Sequence, residues 1–197
     1  MPRHADPVQR RREVATALLA VVSAEGLEAA SIPRVARELG ATTGLVQTYF
    51  RSKDELLRFA ATHLGDLVRE RVAAAAATGT MRERLLAGLS VLASAHEAED
   101  DSEGRAWLAF LARAAVNPDL HEVHVAGAEE IRTRLAAGLA VAKEQGEVRA
   151  DLDVDLAAAA LAALVDGLAV QRALEPARFT RQLVRRLLDD YLGQFFT

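Results

Sequence analysis

Cysteine is missing altogether from the 197-residue chain. Its absence excludes disulfide staples and thiolate metal sites, and it fits a reducing compartment. Met1-Pro-Arg-His-Ala-Asp carries no apolar signal-peptide core, so no leader is expected. The longest apolar run, Leu156 to Val165, is alanine-rich and stops at Asp166. It reaches roughly half of the ~20 residues that a bilayer span needs. These absences predict a soluble, cytoplasmic protein with no membrane partner. β-branched runs are short, and neither a strand pattern nor a fixed-period repeat is present. No nucleophile–base pair, glycine-rich phosphate loop or metal triad stands at informative spacing, so the chain is not expected to be an enzyme and no cofactor is implied. His63, His96, His121 and His124 invite a metal reading, and His121 and His124 are three apart on one helix. No third ligand joins them, and no metal is expected.

Half of the residues are apolar, enough for a sizeable core and too many for a disordered chain. The net charge of -4 hides an asymmetry. Residues 1–57 carry eight basic groups (Arg3, Arg10, Arg11, Arg12, Arg34, Arg37, Arg51, Lys53) against seven acids, and the acidic excess lies beyond them. The bases gather at Arg10–Arg12 and at Arg51/Lys53, two ends where a DNA backbone could be touched. Charge alone reads equally well as a solvated face.

Alanine, leucine, arginine and glutamate dominate, so helix is favoured nearly throughout. Asp6-Pro7-Val8-Gln9 opens a first helix with a capping-box pattern, Val14, Leu18, Val21 and Val22 form its inner stripe, and Gly26 is expected to end it as a left-handed cap. Ser31 caps a second helix, Ile32 to Leu39, and Thr42 caps a third through Phe50. Ser52-Lys53-Asp54-Glu55 and Thr80-Met81-Arg82-Glu83 are capping boxes for a fourth and a fifth. The acidic stretch Glu97–Glu103 reads as a loop. Helices six to nine follow around Trp107–Leu111, from Asn117-Pro118-Asp119 to near Gly146, from Val154 to Leu174, and from about Arg178 to Leu192.

The second and third helices, joined at Leu39-Gly40-Ala41-Thr42, have the layout of a helix-turn-helix, with Gly40 permitting the sharp turn. Val46 and Phe50 are four apart and should face the core with Val35 and Leu39. Thr43, Gly44, Leu45, Gln47, Thr48 and Tyr49 then point elsewhere, and none is acidic. Gln47 can bond adenine bidentately, Thr48 can reach a base edge, and Leu45 can meet a thymine methyl. Gly44 allows close approach of a phosphate, while Thr42, Tyr49 and Lys53 suit phosphate contacts. A plain three-helix packing unit is the alternative, and an acid-free outward face with Leu45 on it argues against that.

The run from Arg12 through Leu57 resembles the TetR family of one-component repressors. The resemblance rests on Gly26, Ser31, Ile32, Val35, Ala36, Leu39-Gly40, Gly44, Tyr49-Phe50, Ser52-Lys53 and Leu56-Leu57. The family usually has tyrosine where this chain has Gln47, and Gly44 to Phe50 is more similar to the BetI-type branch. Trp107-Leu108-Ala109-Phe110, Asn117-Pro118-Asp119-Leu120 and Leu164 to Ala169 resemble the regulatory region of that branch. The resemblance implies an all-α fold of nine helices, with a DNA-binding domain at residues 1–53 and an effector-binding, dimerising domain at 54–197. It also implies a homodimer on double-stranded DNA, at an operator that is an inverted repeat, released when a small-molecule effector binds.

Small and apolar residues of the last two helices, Ala160, Ala163, Leu164, Gly167, Gln171, Leu183, Leu187 and Tyr191, are the candidate dimer interface; each reads also as monomer core. Candidate effector contacts are Leu89, Trp107, Phe110, Leu111, His124, Ala128 and Leu161, again with ordinary core as the alternative. The related choline sensors suggest a quaternary-ammonium ligand, which wants an aromatic cage. Of nine aromatic residues only Trp107 and Phe110 look available, so a neutral or weakly polar ligand is expected. Two other functions compete: a dimeric DNA-binding regulator without an effector, and an all-helical enzyme whose basic end is incidental.

Overall fold

A computed structural model describes residues 6–94 and 102–197. The described residues form nine helices: α1 (Pro7–Glu25), α2 (Ile32–Glu38), α3 (Thr43–Tyr49), α4 (Lys53–Ala75), α5 (Met81–Ser94), α6 (Ser102–Ala114), α7 (Pro118–Glu144), α8 (Val154–Leu174) and α9 (Arg181–Leu192). Their beginnings follow from local chemistry. Each helix start leaves backbone N–H groups without partners, and a short polar side chain satisfies one. Asp6 accepts from the Val8 N–H at 3.0 Å, Ser31 from Arg34 at 3.3 Å, and Thr42 from Leu45 at 3.2 Å. Asn117, Asp153 and Thr180 do the same for Leu120, Leu156 and Leu183.

Several expected boundaries shift. Helix α9 begins at Arg181 rather than near Arg178, because Thr180 is the residue that caps it. Gly26 has the expected positive φ of 83°, but its ψ of 171° is extended, so it ends α1 outside the left-handed helical region. The box at Ser52 is only half reciprocal: the Glu55 N–H donates to Ser52 Oγ at 3.1 Å, while Glu55 Oε2 accepts from the Arg51 N–H at 2.9 Å. Most of the acidic stretch expected as a loop, together with His96, lies outside the described residues. Glu103, however, sits in the first turn of α6, where the helix dipole favours a carboxylate, and pairs with Arg71 at 2.6 Å. An isolated antiparallel bridge joins Val148 and Phe196.

The chain folds as two compact units. One runs through Asp66 and takes in Arg105–His124; the other comprises Leu67–Gly104 and Val125–Thr197. The first has a core of Val14, Leu18, Val21 and Val22 from α1 with Val35, Val46, Phe50, Leu56 and Phe110. In the second, Leu85, Leu89, Leu139, Leu161, Val165, Leu188 and Leu192 are buried together. Burying each such side chain contributes about 1.5–3 kcal/mol. Helix α8 is long and apolar enough, by length and composition, to cross a membrane. Its whole length passes that test although its longest uninterrupted apolar run does not, because Asp166 breaks the run without ending the helix.

The start of α5 carries a full capping box: Thr80 N–H donates to Glu83 Oε2 at 2.8 Å, and Glu83 N–H donates to Thr80 Oγ1 at 3.3 Å. The Thr80 backbone N–H, followed by its hydroxyl, holds the Glu83 carboxyl below its ordinary value of 4.5. A depressed carboxylate adds stability above its unfolded pKa, and that stability is lost as pH falls through the lowered folded value. Thr80→Ala is expected to lower the urea midpoint at neutral pH, because the Glu83 N–H loses its cap and the Glu83 carboxylate loses the Thr80 hydroxyl. The difference between variant and parent should shrink below pH 4.5.

Candidate nucleic-acid interface

The turn between α2 and α3 is set by one glycine. Gly40 has φ +67°, a left-handed conformation that costs a residue with a Cβ more than glycine. The Ala41 N–H donates to the Ala36 carbonyl at 2.9 Å and the Gly40 N–H to the Arg37 carbonyl at 3.1 Å. This pair of bonds is a Schellman closure of α2, and it hands the chain to the Thr42 cap within two residues.

Helix α3 has two chemically distinct faces. Val46 is buried, as is Phe50, which closes the helix. Thr42, Gly44, Gln47 and Thr48 are exposed, and Thr43, Leu45 and Tyr49 are half-buried. The first turn carries no acid. A Cβ placed at Gly44 would meet only Thr42 Oγ1, at 4.0 Å, so nothing within the chain requires glycine there. The Thr48 hydroxyl donates to the Gly44 carbonyl at 2.9 Å, which leaves its oxygen able to accept. Lys53 is tied more closely to the fold than its sequence suggests: its Nζ donates to the Leu27 carbonyl at 3.2 Å, leaving two of its three donors.

The basic groups of this region are largely committed to internal pairs. Arg10 pairs with Glu13 at 2.6 Å and Arg11 with Glu55 at 3.2 Å. Arg34 bridges Glu25 at the end of α1 and Glu38 at the end of α2. The Arg34 hydrogen bond pulls the Glu25 carboxyl below its ordinary value, and Glu25, followed by Glu38, raises the Arg34 guanidinium. Arg12 on α1 and Arg51, next after Phe50, stay exposed.

The expected effector contacts do not share one core. Trp107 and Phe110 pack with the first, and Leu89 and Leu161 are buried in the second. Leu111, His124 and Ala128 are half-buried. A polar surface depression of about 540 Å³ lies among Arg82, Arg186, Asp189, Asp190, Gly193 and Gln194, and it includes none of the expected contacts. Of the expected dimer residues, Ala163, Gly167, Gln171 and Leu187 are exposed, and Ala160 and Leu183 are half-buried. Leu164 and Tyr191 lean on the second core, with Tyr191 edge-on to Phe195 at 5.3 Å. Sequence reasoning missed Arg172, which is buried on α8 and donates to the Phe179 carbonyl at 2.9 Å. An arginine in an exposed-looking helix end carries no sequence signal of that role. Among the described residues no three His, Cys, Asp or Glu side chains gather as a metal site would need.

Residues 15–60 match the family model of bacterial regulatory proteins, tetR family, and residues 81–197 match that of the BetI-type transcriptional repressor C-terminal region. The chain belongs to the TetR family. It is 31% identical to the HTH-type transcriptional regulator PksA of Bacillus subtilis, over 98% of this chain and 92% of that one. Its structure is similar to that of a transcriptional regulator from Rhodococcus, with a TM-score of 0.81 and 33% identity, over 93% and 94% of the two chains. It shares its fold with a regulator from Saccharomonospora viridis crystallised in complex with choline, with a TM-score of 0.85 at 24% identity, over 96% and 99%. As a TetR-family member the protein is a DNA-binding transcriptional regulator, and the family match spans α2, the Gly40 turn and α3 together.

Proposed function

We propose that the protein is a homodimeric, cytoplasmic repressor that reads an inverted-repeat operator with α3 and releases it when a small molecule binds the C-terminal region. In this reading residues 1–53 hold the DNA reader, and residues 54–197 bind the effector and dimerise. The observation that carries it is the division of α3: Val46 and Phe50 anchor it, and Gly44, Gln47 and Thr48 stand in solvent. Gln47 supplies the donor and acceptor that adenine's major-groove edge pairs with. Gly44 has open space over its Cα, as close approach of a phosphate needs. Thr42, Thr43, Leu45, Tyr49 and Lys53 complete the proposed contact set.

The dimer is supported by a face that the monomer leaves uncovered. Leu156 is 68% exposed and Leu174 65% exposed. Ala160, Ala163, Gly167 and Gln171 lie between them at helical spacing on the same side of α8. Leu187 adds an exposed apolar group from α9. Two copies would present two α3 helices to half-sites about 34–36 Å apart.

For the effector, a neutral or weakly polar molecule is favoured over a quaternary ammonium. A cage needs several free aromatic faces. Phe50 and Phe59 are engaged by Arg11, Tyr191 packs on Phe195, and Phe110 is buried in the first core. The choline found in the Saccharomonospora viridis regulator therefore does not transfer directly to this chain.

Three measurements test these points. Against a duplex selected by the parent from a random pool, Gln47→Ala should lose about 1–3 kcal/mol of discrimination at one base pair of each half-site; unchanged discrimination would remove Gln47 from the reader. Ala163→Glu should keep the parent's helicity, since the position is exposed, and halve the mass by light scattering at micromolar concentration. A parent that is already monomeric there would refute the dimer. Micromolar choline should leave the melting temperature unchanged, whereas a rise of several degrees would restore the ammonium reading.

A further inference from the structure

The sequence places Arg11 in a basic cluster suited to DNA phosphates, but the structure turns its guanidinium inward. The guanidinium carbon lies 4.6 Å from the Phe50 ring centroid and 4.7 Å from that of Phe59. Those two rings are 5.4 Å apart and tilted by 60°. Nη2 donates to Glu55 Oε1 at 3.2 Å, and the other oxygen of Glu55 accepts the backbone N–H of Arg51 at 2.9 Å. Nε is buried without a hydrogen-bond partner, as befits a group held by ring faces instead of acceptors. Phe50 is the residue that ends α3, and Arg51 begins the link to α4. One side chain from α1 thus grips the exit of α3 and, through Glu55 and Phe59, the first two turns of α4.

We propose that Arg11 is a positioning residue for operator reading: it clamps Phe50 against Phe59 and so sets the angle at which α3 presents Gln47. The inference rests on α3 being the DNA reader. Arginine suits the task because its planar, weakly hydrated cation stacks on aromatic faces and still aims an N–H at a carboxylate. Lysine offers a compact ammonium that cannot do both. A phosphate contact and a positioning role differ in a measurable way. Losing a phosphate contact flattens the salt dependence of binding, by about 0.9 in log–log slope for each contact. Losing orientation weakens binding and base discrimination at constant slope.

The test uses the full-length protein and a duplex selected by the parent from a random pool. Arg11→Met and Arg11→Lys should each bind about tenfold more weakly, the scale of the ring contacts and charge-assisted bond lost. The parent's salt slope should be kept, and discrimination at the Gln47 base pair reduced. In a Phe59→Leu background Arg11→Met should cost clearly less than in the parent, because the two act as one unit. Should Arg11→Met fold poorly by circular dichroism, Arg11→Lys supplies the same comparison. Rescue by lysine with a flattened slope in Arg11→Met would assign Arg11 to a phosphate and overturn the proposal. So would additive costs in the Phe59→Leu background, or a lowered melting temperature with parental affinity and discrimination. If Gln47→Ala and Lys53→Ala both bound the selected duplex as the parent does, the reading of α3 would fall, and the role of Arg11 with it.

Discussion

The burial of Val46 and Phe50 is the constraint from which the rest of the proposed DNA-facing surface follows. Helix α3 has seven residues, far fewer than the roughly 12–15 at which an isolated helix becomes even marginal in water. Its order comes from docking one side, four residues apart, into the core that α1 and α4 supply. Once those two side chains are fixed, the helix can neither roll nor slide. Gln47, Thr48 and Gly44 are then held outward by geometry. A polar face on a free peptide would have no direction; here the packed face gives it one. The Gly40 turn matters for the same reason, because it brings α3 to that core within two residues of the end of α2.

The charges around this unit show a division of labour that net charge conceals. Arg34 joins the ends of α1 and α2, Arg10 pairs within α1, and Lys53 holds the loop at Leu27. Exposed ion pairs of this kind contribute little stability individually. Their value lies in fixing relative orientation, which the proposed reading of base edges by α3 requires. Arg12 and Arg51 remain available to solvent. A few well-placed cations give the local field that a phosphate backbone meets, whatever the overall charge of -4.

The C-terminal helices repeat the two-faced logic with larger elements. Helix α8 is apolar on most of its circumference, and such a surface calls for cover on more than one side. Its inner side, Ala157, Ala158, Leu161, Val165 and Leu168, is buried with α5 and α9 residues. Its outer side carries Leu156, Ala163, Gly167 and Leu174 to the surface. A single packed core accounts for the first set and leaves the second without cover, and that second face is the one proposed above as the interface between copies.

Much of this was legible along the chain. Asp6, Ser31, Thr42, Ser52, Thr80 and Asn117 mark helix starts because capping is a contact between a residue and its neighbours two or three places on. The i, i+4 pair Val46/Phe50 revealed the inner face of α3, because helical periodicity is local as well. Distant partners were not legible. The seat of Arg11 between Phe50 and Phe59 and the bond from Lys53 to Leu27 join residues tens of positions apart, and the burial of Arg172 turns on a carbonyl beyond the end of its own helix. Local spacing determines which helices form and which side of each is apolar. Only the folded chain decides what each long cation or aromatic ring finally touches, because such side chains reach across gaps that sequence separation does not measure.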